Sequence, residues 1–293
     1  LNTAAKDQRL KSFWSWIQDP IVRWSQDHGL MFSAAIAFFA AFSLAPTLVI
    51  IIAVASVFFG ADAVQGRLFG EIAGIVGADA AHGLEAIVAN AWHADIATRT
   101  AILSAVGVLV GASATFSSLY TALNVIWPAP VTGTRASIIA ILRVRAISFA
   151  FVLGAALLIV ALLVLDALVV LVGQWVLGTN GPSFLIAALA QRAISLVMMV
   201  LAFAVLLKFL PSARMQWRDA ALGALTAAVL FEGGKRLFAF YLQHAGTANT
   251  FGAAGSLAII LMWLYYSAAV FLLGAEVSAM VARRRTQRIS GWR

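Results

Sequence analysis

WRDAALGALTAAVLFEGGKRLFAFYLQHAGTANTFGAAGSLAIILMWLYYSAAVFLLGAEVSAMVARRR, residues 217–285, decides how the whole chain is read. Its two apolar runs, 220–241 and 254–281, are each long enough for a hydrocarbon core of about 30 Å, which takes ~20 helical residues to cross. The short Gly-rich stretch between them, with Gly252 and Gly255, predicts an outer loop that turns tightly. Neither run is free of charge. Glu232, Lys235 and Arg236 interrupt the first, and Glu276 stands near the end of the second, ahead of Arg283, Arg284 and Arg285. Ionisable groups at such depth are costly, so each is a functional hypothesis.

Composition extends this reading to the rest of the chain. With 293 residues, 62% hydrophobic and only 11% charged, and a mean hydropathy of +0.95, there is too little polar surface to enclose a soluble globule. The predicted class is an all-α polytopic membrane protein. The absence of cysteine excludes disulfides, thiolate zinc sites and CxxC redox chemistry. No GxxxxGK[ST] occurs, which argues against an ATP-driven pump. His82 and His93 read as surface histidines, and neither a metal nor a cofactor is expected.

Four more apolar runs precede the first two, at 31–59, 101–127, 146–172 and 184–207, giving six predicted spans. Pro46, inside the first, favours a kink or break there. Gly107 and Gly111 form a GxxxG pair in the second, which would let another helix approach closely. Ahead of the spans, Leu10, Phe13, Trp14, Ile17, Ile21 and Trp24 recur at helical spacing among basic residues, the pattern of an interfacial amphipathic helix. Between spans one and two, residues 60–100 are acidic, with apolar positions at helical spacing. One or two helices folded over the outer face are expected there.

Charge distribution orients the spans. Lys6, Arg9, Lys11 and Arg23, then Arg135, Arg143 and Arg145, then Lys208, Arg214 and Arg218, and finally Arg283, Arg284, Arg285, Arg288 and Arg293 are fifteen of the twenty basic residues, and all fall on one side. The opposite loops hold Arg67 and Arg99. By the positive-inside rule both termini are cytoplasmic. The formal charge of +8 is therefore an orientation signal, and nucleic acid is not expected as a partner. The chain divides into a cytoplasmic amphipathic segment (1–29), a six-helix membrane domain (30–282, including the outer segment 60–100) and a basic cytoplasmic tail (283–293).

Five stretches carry a family resemblance: SAAIAFFAAFSLAP (33–46), SLYTALNVIWP (118–128), FLPSARMQWRDAALGAL (209–225), FEGGKRLFAFYL (231–242) and FGAAGSLAIILMWLYYSAAVFLLGAEVSAM (251–280). In combination they resemble the YihY/BrkB family of bacterial inner-membrane proteins, historically also labelled ribonuclease BN. The resemblance implies a six-helix fold in the plasma membrane and a virulence-associated envelope role. That role carries links to serum resistance and suggestions of lipid or lipopolysaccharide-precursor transport. The nuclease label finds no support in these residues, because metal-dependent RNA cleavage needs a His/Asp or carboxylate cluster that the sequence lacks. The chain is not expected to be an enzyme.

The residues singled out for chemistry follow from depth. From a cytoplasmic start at Ala220, Glu232 lies about 18 Å along the helix, past the middle of the bilayer. Lys235 and Arg236 stand at i+3 and i+4 from it, on one helical face. Asp166, Gln191 and Arg192 belong to other spans but fall in the same outer half. Together these six predict an outward-facing cavity with excess positive charge, suited to an anionic headgroup such as a lipid phosphate. Glu276 reads as an anchor beside Arg143 or Arg145, Asn124 as an interhelical hydrogen-bonding group, and Trp263, Tyr265 and Tyr266 as packing or lining residues.

The expected activity is transport or flipping of an anionic amphipathic envelope molecule, a lipid or glycolipid, among membrane lipids as partners. Two alternatives stand beside it: an ion or small-solute transporter in which Glu232 titrates, and a non-transporting scaffold for envelope assembly. Only one six-helix unit and no internal repeat is visible, so alternating access would call for a homodimer.

Overall fold

The computed structural model describes residues 16, 18–93, 114–128, 146, 182–213, 215–245 and 248–290. Asp166, the third expected span, the Gly107/Gly111 pair, Arg143 and Arg145, and most of the amphipathic N-terminal stretch lie outside them. The described residues form helices joined by short non-helical turns, with no strand among them. In chain order the helices are α1 (Gln18–Gln26), α2 (Gly29–Phe59), α3 (Ala61–Val76), α4 (Ala78–His93), α5 (114–126), α6 (Pro182–Phe209), α7 (Trp217–Ala245) and α8 (Ala248–Ser290).

Helix α8 is the axis of the fold. It packs on α2, α4 and α7, and α6 packs on α7, with Phe203 of α6 also against Phe271 of α8. Its 43 residues extend about 65 Å at 1.5 Å per residue, well beyond a bilayer core. The segment Gly255–Gln287 is long and apolar enough to cross a membrane by length and composition. Many large apolar side chains on the helices face outward, among them Phe42 at 69% exposure, Leu237 at 71% and Val57 at 79%. Such a surface suits hydrocarbon rather than water.

Several local features depart from the sequence expectation. Helix α2 continues through Pro46 without a break, and the sharp bend, 67°, falls between α1 and α2 instead. There His28 adopts a left-handed conformation (φ 58°, ψ 34°). The buried Gly29 sits under the Trp24 ring, where a Cβ would come within 2.2 Å of the indole nitrogen. Gly252 and Gly255 lie inside α8, which already starts at Ala248, so neither makes the expected outer turn. The basic residues Arg283–Arg285 continue the same helix.

The outer segment forms two helices, α3 and α4, hinged at glycines. Gly60 and Gly77 have φ of 81° and 88°, a backbone region that side chains with a Cβ rarely enter. The hairpin is seated by apolar contacts of Val64, Phe69, Leu84 and Val88 with Leu48, Ile52 and Ala55 of α2. Val76 and Ala80 meet Ile259, Ile260 and Trp263 of α8. A separate cluster of Leu123, Leu207, Leu210, Ala224, Leu272 and Ala275 forms the core nearer the basic end of α8.

Candidate functional site

The site is built on two facing helices. On α3, Gly66, Gly70 and Gly74 recur every four residues and so share one face. A Cβ added to any of them would meet nothing within 4 Å, so they do not serve close helix packing. Their missing side chains leave a groove instead. Its opposite wall is α7, through Glu232, Lys235, Arg236 and Ala239, and Arg67, Glu71 and Ile75 of α3 complete the lining. The volume is about 620 Å³, enough for a headgroup-sized molecule.

Two of the charged pairs are internal to their own helices. Lys235 Nζ lies 2.7 Å from Glu232 Oε2, and Arg67 Nε lies 3.6 Å from Glu71 Oε1. Arg236, exposed, makes neither an ion pair nor a hydrogen bond among the described residues. Three cations against two carboxylates leave the groove with one surplus positive charge. Half-exposed i,i+3 and i,i+4 pairs are weak, so both remain available for exchange with a charged ligand. Among the described residues no group of three or more His, Cys, Asp or Glu side chains is placed to hold a metal ion. His82 instead lies 3.2 Å from Glu85 on exposed α4.

Glu232 and Lys235 thus meet, as their spacing predicts, and Arg236 shares their groove without pairing among the described residues. Arg67 and Glu71, from the stretch that reads as the outer segment, line the same groove. Gln191 and Arg192 lie on the α6 backbone, but their side chains, like all of Asp166, are outside the described residues. The adjacent glycines of EGGK differ in role. Gly233 faces open space, whereas a Cβ on Gly234 would fall 2.0 Å from the Tyr266 ring. The Tyr266 hydroxyl donates to the Leu230 carbonyl at 2.7 Å, and Trp263 packs against Phe231 and Phe238. These aromatics set the angle at which α7 presents its charged face.

At the basic end of α8 three successive arginines each hold a different element. Arg283 donates to the Ile126 carbonyl at the end of α5, 3.0 Å. Arg284 pairs with Asp19 at 2.6 Å and lies over the Trp16 ring. Arg285 grips both oxygens of the buried Asp219, at 3.2 and 3.0 Å. Asn124 accepts a hydrogen bond from the Ser212 amide at 2.9 Å, so its partner is the turn that follows α6 and not the side of a neighbouring helix. Glu276 is fully buried, with the charged groups Asp27, Arg23 and Arg283 in its neighbourhood; Arg143 and Arg145, its expected partners, lie outside the described residues.

Comparison with known proteins agrees with this architecture. The family profile of the virulence factor BrkB matches residues 21–293. A UPF0761 membrane protein of Yersinia pestis is 27% identical over 211 residues, covering 70% of this chain and 65% of that protein. One from Tolumonas auensis is 40% identical over 84 residues, 28% of each chain. One from Paraburkholderia xenovorans is 37% identical over 93 residues, 31% of this chain and 21% of that one. The matched stretches therefore span less than two thirds of these relatives' lengths. No solved structure matches. With a family match that runs from residue 21, within α1, to residue 293, the chain belongs to the virulence factor BrkB family of membrane proteins.

Proposed function

We propose that the chain is a six-span bacterial inner-membrane protein, both termini cytoplasmic, that binds the headgroup of an anionic amphipathic envelope molecule in the α3–α7 groove and moves it between leaflets. The observation that carries this reading is Arg236, unpaired among the described residues, beside an open glycine ridge, with Arg67 and Lys235 within the same lining. A guanidinium free of protein partners is a ready bidentate donor for phosphate or carboxylate. Leu237 and Phe240, one and four residues further along α7, are exposed at 71% and 61% and offer an apolar track for acyl chains. A lipid or lipopolysaccharide precursor fits both requirements.

The test is binding and scrambling of phosphatidylglycerol against phosphatidylcholine by purified protein in proteoliposomes. Arg236→Ala is expected to weaken phosphatidylglycerol binding about tenfold or more, since a hydrogen bond to a charged group contributes ~1.5–3 kcal/mol. Gly70→Leu is expected to fill the groove and abolish scrambling while leaving the fold intact, because the added atoms enter open space. Thermal unfolding in detergent checks that second half. If the folded Gly70→Leu protein scrambles at the wild-type rate, the groove is not the path.

A second reading, ion or small-solute transport coupled to Glu232, is favoured by the 2.7 Å Glu232–Lys235 pair, which a proton on the carboxylate would break. It predicts a pH-dependent flux that Glu232→Gln abolishes and phosphatidylglycerol does not compete with. Binding and flux both unchanged by Glu232→Gln and Arg236→Ala would leave the scaffold role.

A further inference from the structure

An anion alone leaves the two carboxylates of the groove unused. A phosphate drawn to Arg236 enters a space that Glu71 and Glu232 also line, and their like charge opposes it. The charges are not scattered. On α3 Arg67 and Glu71 stand four residues apart, as Glu232 and Arg236 do on α7. Four residues advance about 6 Å along a helix, so each wall carries a guanidinium and a carboxylate roughly one turn apart.

Neither carboxylate is used up by the pair it makes. Glu71 meets Arg67 through Oε1, and Glu232 meets Lys235 through Oε2. The other oxygen of each has no partner among the described residues. An ionised carboxylate accepts about four hydrogen bonds, and these two side chains are 70% and 40% exposed. Each therefore has room for a donor brought in by a ligand. On the α3 side the way to them is clear, because nothing lies within 4 Å of a Cβ built on Gly66, Gly70 or Gly74.

A headgroup that uses both kinds of group carries a phosphate and, about one helical turn (~5.4 Å) away, a primary ammonium. The phosphate accepts from a guanidinium in bidentate geometry, and the ammonium has three N–H donors for carboxylate oxygens. A quaternary ammonium has no N–H to give, and a glycerol headgroup has no cation. A net charge of −1 on such a ligand cancels the single surplus positive charge of the groove. Resting on the groove reading above, we infer that the α3–α7 groove selects anionic headgroups that bear a primary amine. Arg236 holds the phosphate, and Glu71 and Glu232 hold the ammonium.

Phosphatidylserine and phosphatidylglycerol, which have the same net charge and differ in the ammonium, test this. The two are mixed in equal amounts into phosphatidylcholine nanodiscs holding the full chain, and the lipid that the protein retains is read by mass spectrometry. Phosphatidylserine is expected to be retained about three- to fivefold over phosphatidylglycerol, the size of one half-exposed ion pair. In Glu71→Gln and in Glu232→Gln the ratio is expected to fall toward one, and Arg236→Ala is expected to release both lipids. Thermal unfolding checks that the variants are folded, and the exposed Glu71 gives the answer alone should Glu232→Gln not fold. Equal retention of the two anionic lipids above phosphatidylcholine would overturn the selection for an amine while leaving the groove as an anion site. Retention of neither above phosphatidylcholine would sink the groove reading and this inference with it. A phosphatidylserine preference that both glutamine variants keep would assign it to the second acid of the serine headgroup, and also overturns the proposal.

Discussion

Gly274→Val is expected to unseat α8 from α7 and to cost on the order of 3 kcal/mol or more of stability. Gly223 and Gly274 meet backbone to backbone at the crossing of these helices. A Cβ on Gly274 would come within 2.6 Å of the Gly223 carbonyl oxygen and 2.8 Å of the Ala227 methyl, and one on Gly223 within 2.4 Å of the Gly274 oxygen. Backbone atoms cannot rotate away, so the helices must part, and overpacking of this kind sits at the upper end of the ~1–3 kcal/mol usual for cores. Gly233→Ala on α7, the other helix of the crossing, is the control. Nothing lies within 4 Å of its added Cβ, and alanine gains ~0.5–1 kcal/mol of helix propensity over glycine. Thermal unfolding of both in detergent checks the pair. Equal effects would show that the close crossing does not hold the fold together.

Arg285→Ala is expected to destabilise the protein by about 3 kcal/mol, because it leaves the Asp219 carboxylate, 2% exposed, without its two charge-assisted bonds. The value stands at the low end of the range for broken buried pairs, since the Arg285 side chain is 37% exposed and water screens part of the loss. Arg285→Lys recovers only a fraction, for a single ammonium cannot span both oxygens. In a double-mutant cycle with Asp219→Asn, the second substitution in the Arg285→Ala background is expected to restore stability, as it removes the stranded charge. Additive losses in that cycle would mean that the two side chains act separately. The location also matters for the fold: Asp219 lies in the first turn of α7, where a carboxylate meets the positive end of the helix, so the pair fixes where α7 starts against the end of α8.

How much of this could be read from the chain depends on the kind of signal. Glu232, Lys235 and Arg236 were legible because their spacing lies within one helix, and helical geometry alone brings the i+3 partner into contact. Arg67 and Glu71 were not legible as site residues. They stand in an acidic stretch that reads as extramembrane, and nothing local says that Gly66, Gly70 and Gly74 turn toward α7. The spacing of those glycines by four is the one signal that pointed there, though the same pattern more commonly marks helix packing. Glu276 is buried at the end of the bundle, while Arg143 and Arg145, the anchor partners that its place in the sequence suggests, lie outside the described residues.

In the sequence Arg283, Arg284 and Arg285 read as orientation signals. The structure adds a second role, since the same helix that carries them out of the apolar region brings each past a different partner. Their charge is legible from composition, but their partners depend on the angular positions of three successive residues, about 100° apart around α8, and on which helices occupy those directions.

The sequence by itself determined the membrane class, the all-helical architecture and the internal Glu232–Lys235 contact, because hydropathy, length and helical periodicity are properties of neighbouring residues. Only the tertiary structure decided that the charged face of α7 looks onto the glycine ridge of α3 and that Gly223 and Gly274 touch. Each of these joins residues far apart in the chain, and the packing of bulky side chains around them, rather than any local preference, sets the distance at which they meet.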